Sequence, residues 1–208
     1  MTTIFISGSR EISFIPDEVT ERVNRIINSG FDIVVGDSER GVDVAIIRYL
    51  ESCAYENVSV YTVHDRPRVK GILDAWNIRK IVPTATAKTD KAGNVRNRRE
   101  LETAKDQAMG ALADYGLVIW QSTYMNRFGN MSVSKGSLRN MYQLLSARRP
   151  VVLYKAPSAD FDVTPYTCHE LRSLEDLKTL VSTEPSVVAR SYAEIEKAAL
   201  RDGPSLFV

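Results

Sequence analysis

The feature that most limits what this chain can fold into is a regular alternation from residue 3 to residue 154. Short apolar runs rich in β-branched residues take turns with longer amphipathic stretches. The runs are TIFIS (3–7), DIVV (32–35), VSVYTV (58–63), GLVIW (116–120) and PVVLY (150–154). Each is too short for a helix and lacks polar alternation, the pattern of a strand buried on both faces. Helical patterns fall between them near 16–29, 41–54, 95–114 and 136–147. Such alternation predicts an α/β fold: a doubly wound, mostly parallel, five-stranded Rossmann-like sheet with helices on both faces. At 208 residues, one sizeable core is expected.

Two regions depart from the alternation. Residues 64–94 form a long connection after the third strand, and from 64 to 100 the chain carries ten bases and four acids. The stretch reads as a basic insert, either a solvated loop or a lid that closes over a ligand or a partner subunit. Beyond 154, KAPSADFDVTPYTCHE reads as loop, SLEDLKTLV as a helix capped by Ser173, and SYAEIEKAALRDG as a helix ending at Gly203. The expected organisation is therefore a ligand-binding domain over 1–154 and a helical C-terminal appendage over 155–208.

Charge narrows the choice of partner. Twenty-seven bases against 26 acids leave the whole chain near neutral, so any attraction for anions has to be local. Cys53 and Cys168 are too few and too isolated for a disulfide framework or a zinc site and read as reduced thiols. No run approaches the roughly 18 apolar residues of a membrane span. A cytoplasmic protein without membrane contact is the expectation, with no metal and no cofactor assigned.

In an open parallel sheet, ligands sit beyond the carboxyl ends of the strands, and here those ends are polar. Ser7, Gly8, Ser9 and Arg10 follow the first strand; Gly36, Asp37, Ser38, Glu39, Arg40, Gly41 and Asp43 follow the second; His64 and Asp65 follow the third. A glycine turn admits a phosphate to the backbone, and Ser9 with Arg10 adds a hydroxyl and a charge. Asp43, in the first turn of a helix, suits a ribose hydroxyl or a reacting sugar carbon. Gly136 and Ser137 open another helix and form a further anion cradle. Each feature also has a plain explanation: tight turns for the glycines, helix-terminal charge for Asp43, a helix cap for Gly136 and Ser137, the core for Trp120, and an ordinary hydrogen-bonded side chain for His64.

GNVRNRRELE (93–102) is the strangest stretch. A helix is expected to start near Val95, yet Arg96, Arg98 and Arg99 crowd its first turns, where the dipole favours acids. A phosphate-bearing ligand accounts for that inversion.

With these residues assembled, the chain resembles the SLOG superfamily, the Rossmann-like group that includes DprA/Smf proteins, Lonely Guy phosphoribohydrolases and YspA-type proteins, and it is closest to the last. The landmarks are ISGSR (6–10), GDSERGVD (36–43), RN (96–97) and a degenerate KGSLRN (135–140), within a match over roughly 1–154. The resemblance implies a nucleotide or nucleotide-derived ligand held by Gly8, Ser9, Arg10, Gly36, Asp37, Gly41, Asp43, Arg96, Asn97, Gly136, Ser137 and Asn140. It assigns the ligand-contacting arginine to Arg96 and makes a homodimer the expected assembly. Asn140 stands where the hydrolases carry a glutamate, and an amide is no base. A sensor or nucleotide-processing role is therefore the first expectation. The alternative is an N-glycosidic hydrolase or transferase, with Asp43 and Arg96 as candidate catalytic groups and Glu39 or Glu100 as other carboxylates. DprA-like binding of single-stranded nucleic acid through 64–100 comes third, since Trp76 is the sole aromatic there.

Overall fold

A computed structural model describes residues 1–82, 98–157 and 165–202. Its centre is a seven-stranded sheet built from β1 (Thr3–Gly8), β2 (Asp32–Val35), β3 (Val58–Thr62), β4 (Asn77–Lys80), β5 (Tyr115–Trp120), β8 (Val151–Lys155) and β9 (Thr167–Leu171). A separate antiparallel hairpin pairs β6 (Thr123–Met125) with β7 (Met131–Val133). The spatial order is β4-β3-β2-β1-β5-β8-β9, parallel throughout except for the last pair. The five apolar runs expected as strands form its middle. The sheet is nonetheless wider than the five strands read from the sequence.

The register explains the two-sided burial. Ile4 lies beside Ile33 and Phe5 beside Val34, so successive residues of β1 face opposite sides. Ile4 and Ile6 pack with α1 (Asp17–Asn28) and α2 (Val42–Ser52), whereas Phe5 packs with α3 (Arg98–Leu112), α4 (Lys135–Ser146), α5 (Leu174–Ser182) and α6 (Ser186–Asp202). Helices therefore cover both faces. In α1, buried Val19, Val23 and Ile26 recur at helical spacing, acids occupy the first turn, and the chain leaves through Gly30 at φ +67°.

Three features differ from the sequence reading. The segment beyond 154 is no appendage: β9 extends the main sheet, and Leu177, Leu180, Val188 and Tyr192 join the same core as α4. α6 starts five residues before the expected Ser191, because Val187 and Val188 continue its apolar stripe behind Pro185. Within the basic insert, β4 is a sheet edge, Val69 and Trp76 are buried, and the Trp76 indole N–H donates to the Tyr55 carbonyl at 2.6 Å. Residues 83–97 lie outside the described part, and with them Arg96 and Asn97. No helix of the described residues is long and apolar enough to cross a membrane.

Candidate functional site

The strand order reverses between β1 and β5, where the outward-running connections part and leave a crevice. A cavity of about 700 Å³ opens there, between the ends of β1 and β2, the middle of α3 and the first turns of α4.

Its floor is the β1 turn. A Cβ on Gly8 would lie 2.3 Å from the Ile119 carbonyl oxygen and 2.4 Å from Val42, so only glycine lets β1 press against β5 and α2 at once. The Ser9 hydroxyl donates to the Gln121 carbonyl at 3.1 Å and accepts from the Gln121 N–H at 2.9 Å, which ties the two diverging connections together. Ser9 thus has a structural task in place of the free phosphate donor expected from the sequence. Its carbonyl accepts from the Val42 N–H at 3.2 Å and so satisfies the start of α2. Gly41, at φ +85°, lies against Arg10, where a Cβ would come within 2.4 Å of the Arg10 Cα.

The β2 turn brings in the charges. Asp37 is fully buried and its oxygens are taken up by protein: Thr62 donates at 2.7 Å, Arg68 at 3.0 Å and Lys105 at 3.1 Å. Glu102 completes the group, 3.2 Å from Arg68 and 2.8 Å from Lys105. Burial opposes ionisation of Asp37, but the Arg68 hydrogen bonds and the Lys105 charge outweigh it and hold the carboxyl well below its ordinary range. Burial likewise works against the Lys105 ammonium, which is 3% exposed, yet Asp106, Asp43, Glu102 and Asp37 together raise its pKa. Asp37 does not line the cavity and is an internal anchor rather than the ligand contact expected.

Asp43 does line the cavity. Its Oδ2 accepts from the Ser38 N–H at 3.2 Å and lies over Gly36, where a Cβ would meet it at 2.4 Å. The helix-terminal role and the cavity role coexist in this one side chain. Burial raises its pKa, opposed by Lys105 and the Ser38 N–H. Asp106, which sequence reasoning missed, lines the same cavity with its pKa pushed up to about 7, by burial first and then by Asp43 and Glu102. Glu39 and Glu100, the other carboxylates considered for catalysis, are not in the lining.

The far wall is α4. Gly136, Ser137 and Asn140 all line the cavity. A Cβ on Gly136 would meet nothing within 4 Å, so the space beside this helix start is open to a ligand. Asn140 Oδ1 and Ser7 Oγ, in residues each 5% exposed, have no hydrogen-bond partner among the described residues. Both residues border the cavity. Six bases of the described residues line it against four acids, and Arg10, Arg40, Lys135 and Arg139 are the bases outside the Asp37 group. Arg139 also donates to Thr103 at 3.2 Å.

Of the expected site residues, the cavity therefore gathers Gly8, Ser9, Arg10, Gly36, Asp43, Gly136, Ser137 and Asn140; Gly41 and Asp37 support it from behind. Arg96 and Asn97 lie outside the described residues. The missed residues on α3 carried a signal: Glu102, Lys105, Asp106 and Met109 stand at i, i+3, i+4 and i+7, the inward stripe of a helix written in charges. Among the described residues, no group of three or more His, Cys, Asp or Glu side chains is arranged to hold a metal. Comparison of the chain with family models, with characterised proteins and with solved structures gives no match.

Proposed function

We propose that this protein binds a nucleotide or nucleotide-derived ligand in the cavity beyond β1 and β5, as a sensor or a nucleotide-processing protein. The carrying observation is the pair of buried, unpartnered oxygens, Asn140 Oδ1 and Ser7 Oγ, beside the open space at Gly136. A buried acceptor left without a donor costs about 1–3 kcal/mol. A ribose hydroxyl or a base amino group supplies such a donor. The excess of bases and the start of α4 suit phosphate, and about 700 Å³ suits a molecule of nucleotide size. Membership of the SLOG superfamily is part of the same proposal, supported by three of its four landmarks bordering the cavity.

Thermal unfolding with AMP, ADP, ADP-ribose and NAD tests the reading. At 100 times its Kd a ligand stabilises the fold by about 2.7 kcal/mol. A clear rise in Tm with one of them is the expected result, abolished in Asn140→Leu without loss of stability in the empty protein. No shift with any of the four at millimolar concentration overturns it.

Cleavage or exchange of an N-glycosidic bond is the second reading, favoured by Asp43 and Asp106 lining one cavity. Chromatography of nucleoside monophosphates after incubation tests it, with free base as the expected product. Nucleic-acid binding through 64–100 draws less support, because Trp76 is buried while Arg68 and Lys80 are engaged by Asp37 and Asp65.

A further inference from the structure

We infer that Asp106 is a ligand-binding residue that meets the anionic part of the ligand as a carboxylic acid, so that the anion enters the cavity together with a proton. The inference rests on the reading of the cavity as a phosphate-ester site.

Asp106 is partly buried in the cavity wall, and no hydrogen bond to its carboxyl group is made among the described residues. The charged groups facing it come from three helices: Lys105 and Glu102 from α3 itself, Asp43 from α2 and Arg139 from α4. Of the strands packed on α3, β1 brings uncharged Phe5 and Ser7, and β3 brings Tyr61, a phenol that burial keeps neutral. Lys105, the nearest ammonium, is already bound by Asp37 at 3.1 Å and Glu102 at 2.8 Å. Asp106 therefore stands desolvated beside two further carboxylates, and the Lys105 charge that opposes this is shared with Asp37 and Glu102 and does not outweigh it, so that Asp106 titrates at about 7.

Arg139 and the first turn of α4 border the same space, and Arg139 is close enough to Asp106 to act on its charge. A phosphate drawn to that wall comes beside Asp106. As a carboxylate Asp106 repels it; as an acid it donates a hydrogen bond to a phosphate oxygen. Binding consequently raises the proton affinity of Asp106, and linkage requires the ligand to bind more weakly as pH rises above 7.

Calorimetry of AMP and ADP-ribose in buffers of different ionisation enthalpy, between pH 6 and 8.5, reads this directly. Comparison with Asp106→Asn cancels any titration of the ligand itself. The wild-type protein should take up as much as about three quarters of a proton more per bound ligand at pH 7.5 than the variant does. Its affinity should fall by up to tenfold per pH unit above 7, relative to a variant that lacks this slope. Asp106→Glu, which restores the carboxyl group, should restore both. Equal proton counts and equal slopes in wild type and Asp106→Asn overturn the role of Asp106 while leaving the nucleotide site standing. Absence of binding by either ligand to the wild type at pH 6 and at pH 8 overturns the site itself and this inference with it.

Discussion

Two sets of carboxylates lie within one cluster and behave in opposite ways. Asp37 and Glu102 are bound by Arg68 and Lys105 at 2.8–3.2 Å, while Asp43 and Asp106 line the cavity with far less compensation. The first set is held below its ordinary ionisation range and the second is pushed above it. The difference teaches where structure ends and ligand chemistry begins. Charges that the protein pairs internally hold β2, β3 and α3 together, and the charges it compensates less are the ones that the proposed function assigns to the ligand.

The largest expected effect breaks the satisfied set. Asp37→Ala strands Lys105 and Arg68 near one remaining partner, and removing one member of a buried ion pair costs about 3–5 kcal/mol. Urea unfolding should show a loss of that order; a change under 1 kcal/mol would mean that the buried group is not what binds β2 to α3. Next comes Gly8→Ala, whose added methyl meets the Ile119 carbonyl and Val42 at less than 2.5 Å. A loss of about 1–3 kcal/mol follows from overpacking, measurable by the same method.

The unsatisfied set should respond with the opposite sign. The folded pKa of Asp37 lies below the unfolded one, so its contribution is complete above about pH 4 and is lost as the pH falls through that range. Asp106 is raised, so its contribution favours the fold below about pH 4 and disappears as the pH climbs to about 7. Asp106→Asn should therefore raise the Tm of the empty protein at pH 8 and leave it unchanged at pH 4. A shift of about 2–4 °C corresponds to roughly 1 kcal/mol in a chain of this size. The smallest effect on stability is expected for Arg96→Ala, which lies outside the described residues: no loss in the empty protein, together with loss of the nucleotide-induced Tm shift. Binding that survives the substitution would remove Arg96 from the site.

The central strands were legible because each is covered on both faces, so burial alone writes an apolar run. β9 was not, since an edge strand with Thr167, Cys168 and Glu170 exposed owes its place to ladder bonds with β8 and not to side-chain burial. The β6–β7 hairpin escaped for a related reason: it turns on Asn126, whose side chain accepts from Phe128 and Asn130, and it leaves Met125, Phe128 and Met131 exposed. The turns at Gly8 and Gly41 were legible because close backbone approach there admits no other residue. Asp106 and Lys105 were hidden because Leu101, Ala104 and Ala108 offered a second, apolar periodicity on the same helix, and the buried face follows the charged one instead.

The Ser9 hydroxyl gives one hydrogen bond to the carbonyl of Gln121 and receives one from the N–H of that same residue, as backbone groups would in the next rung of a ladder. The sheet is in effect carried one step further by a side chain, at the place where its strands begin to separate. That rung makes the base of the cavity a rigid reference plane. Any retuning of this site toward a different ligand then falls on the side chains that α3 and α4 present to it, which take no part in that rung.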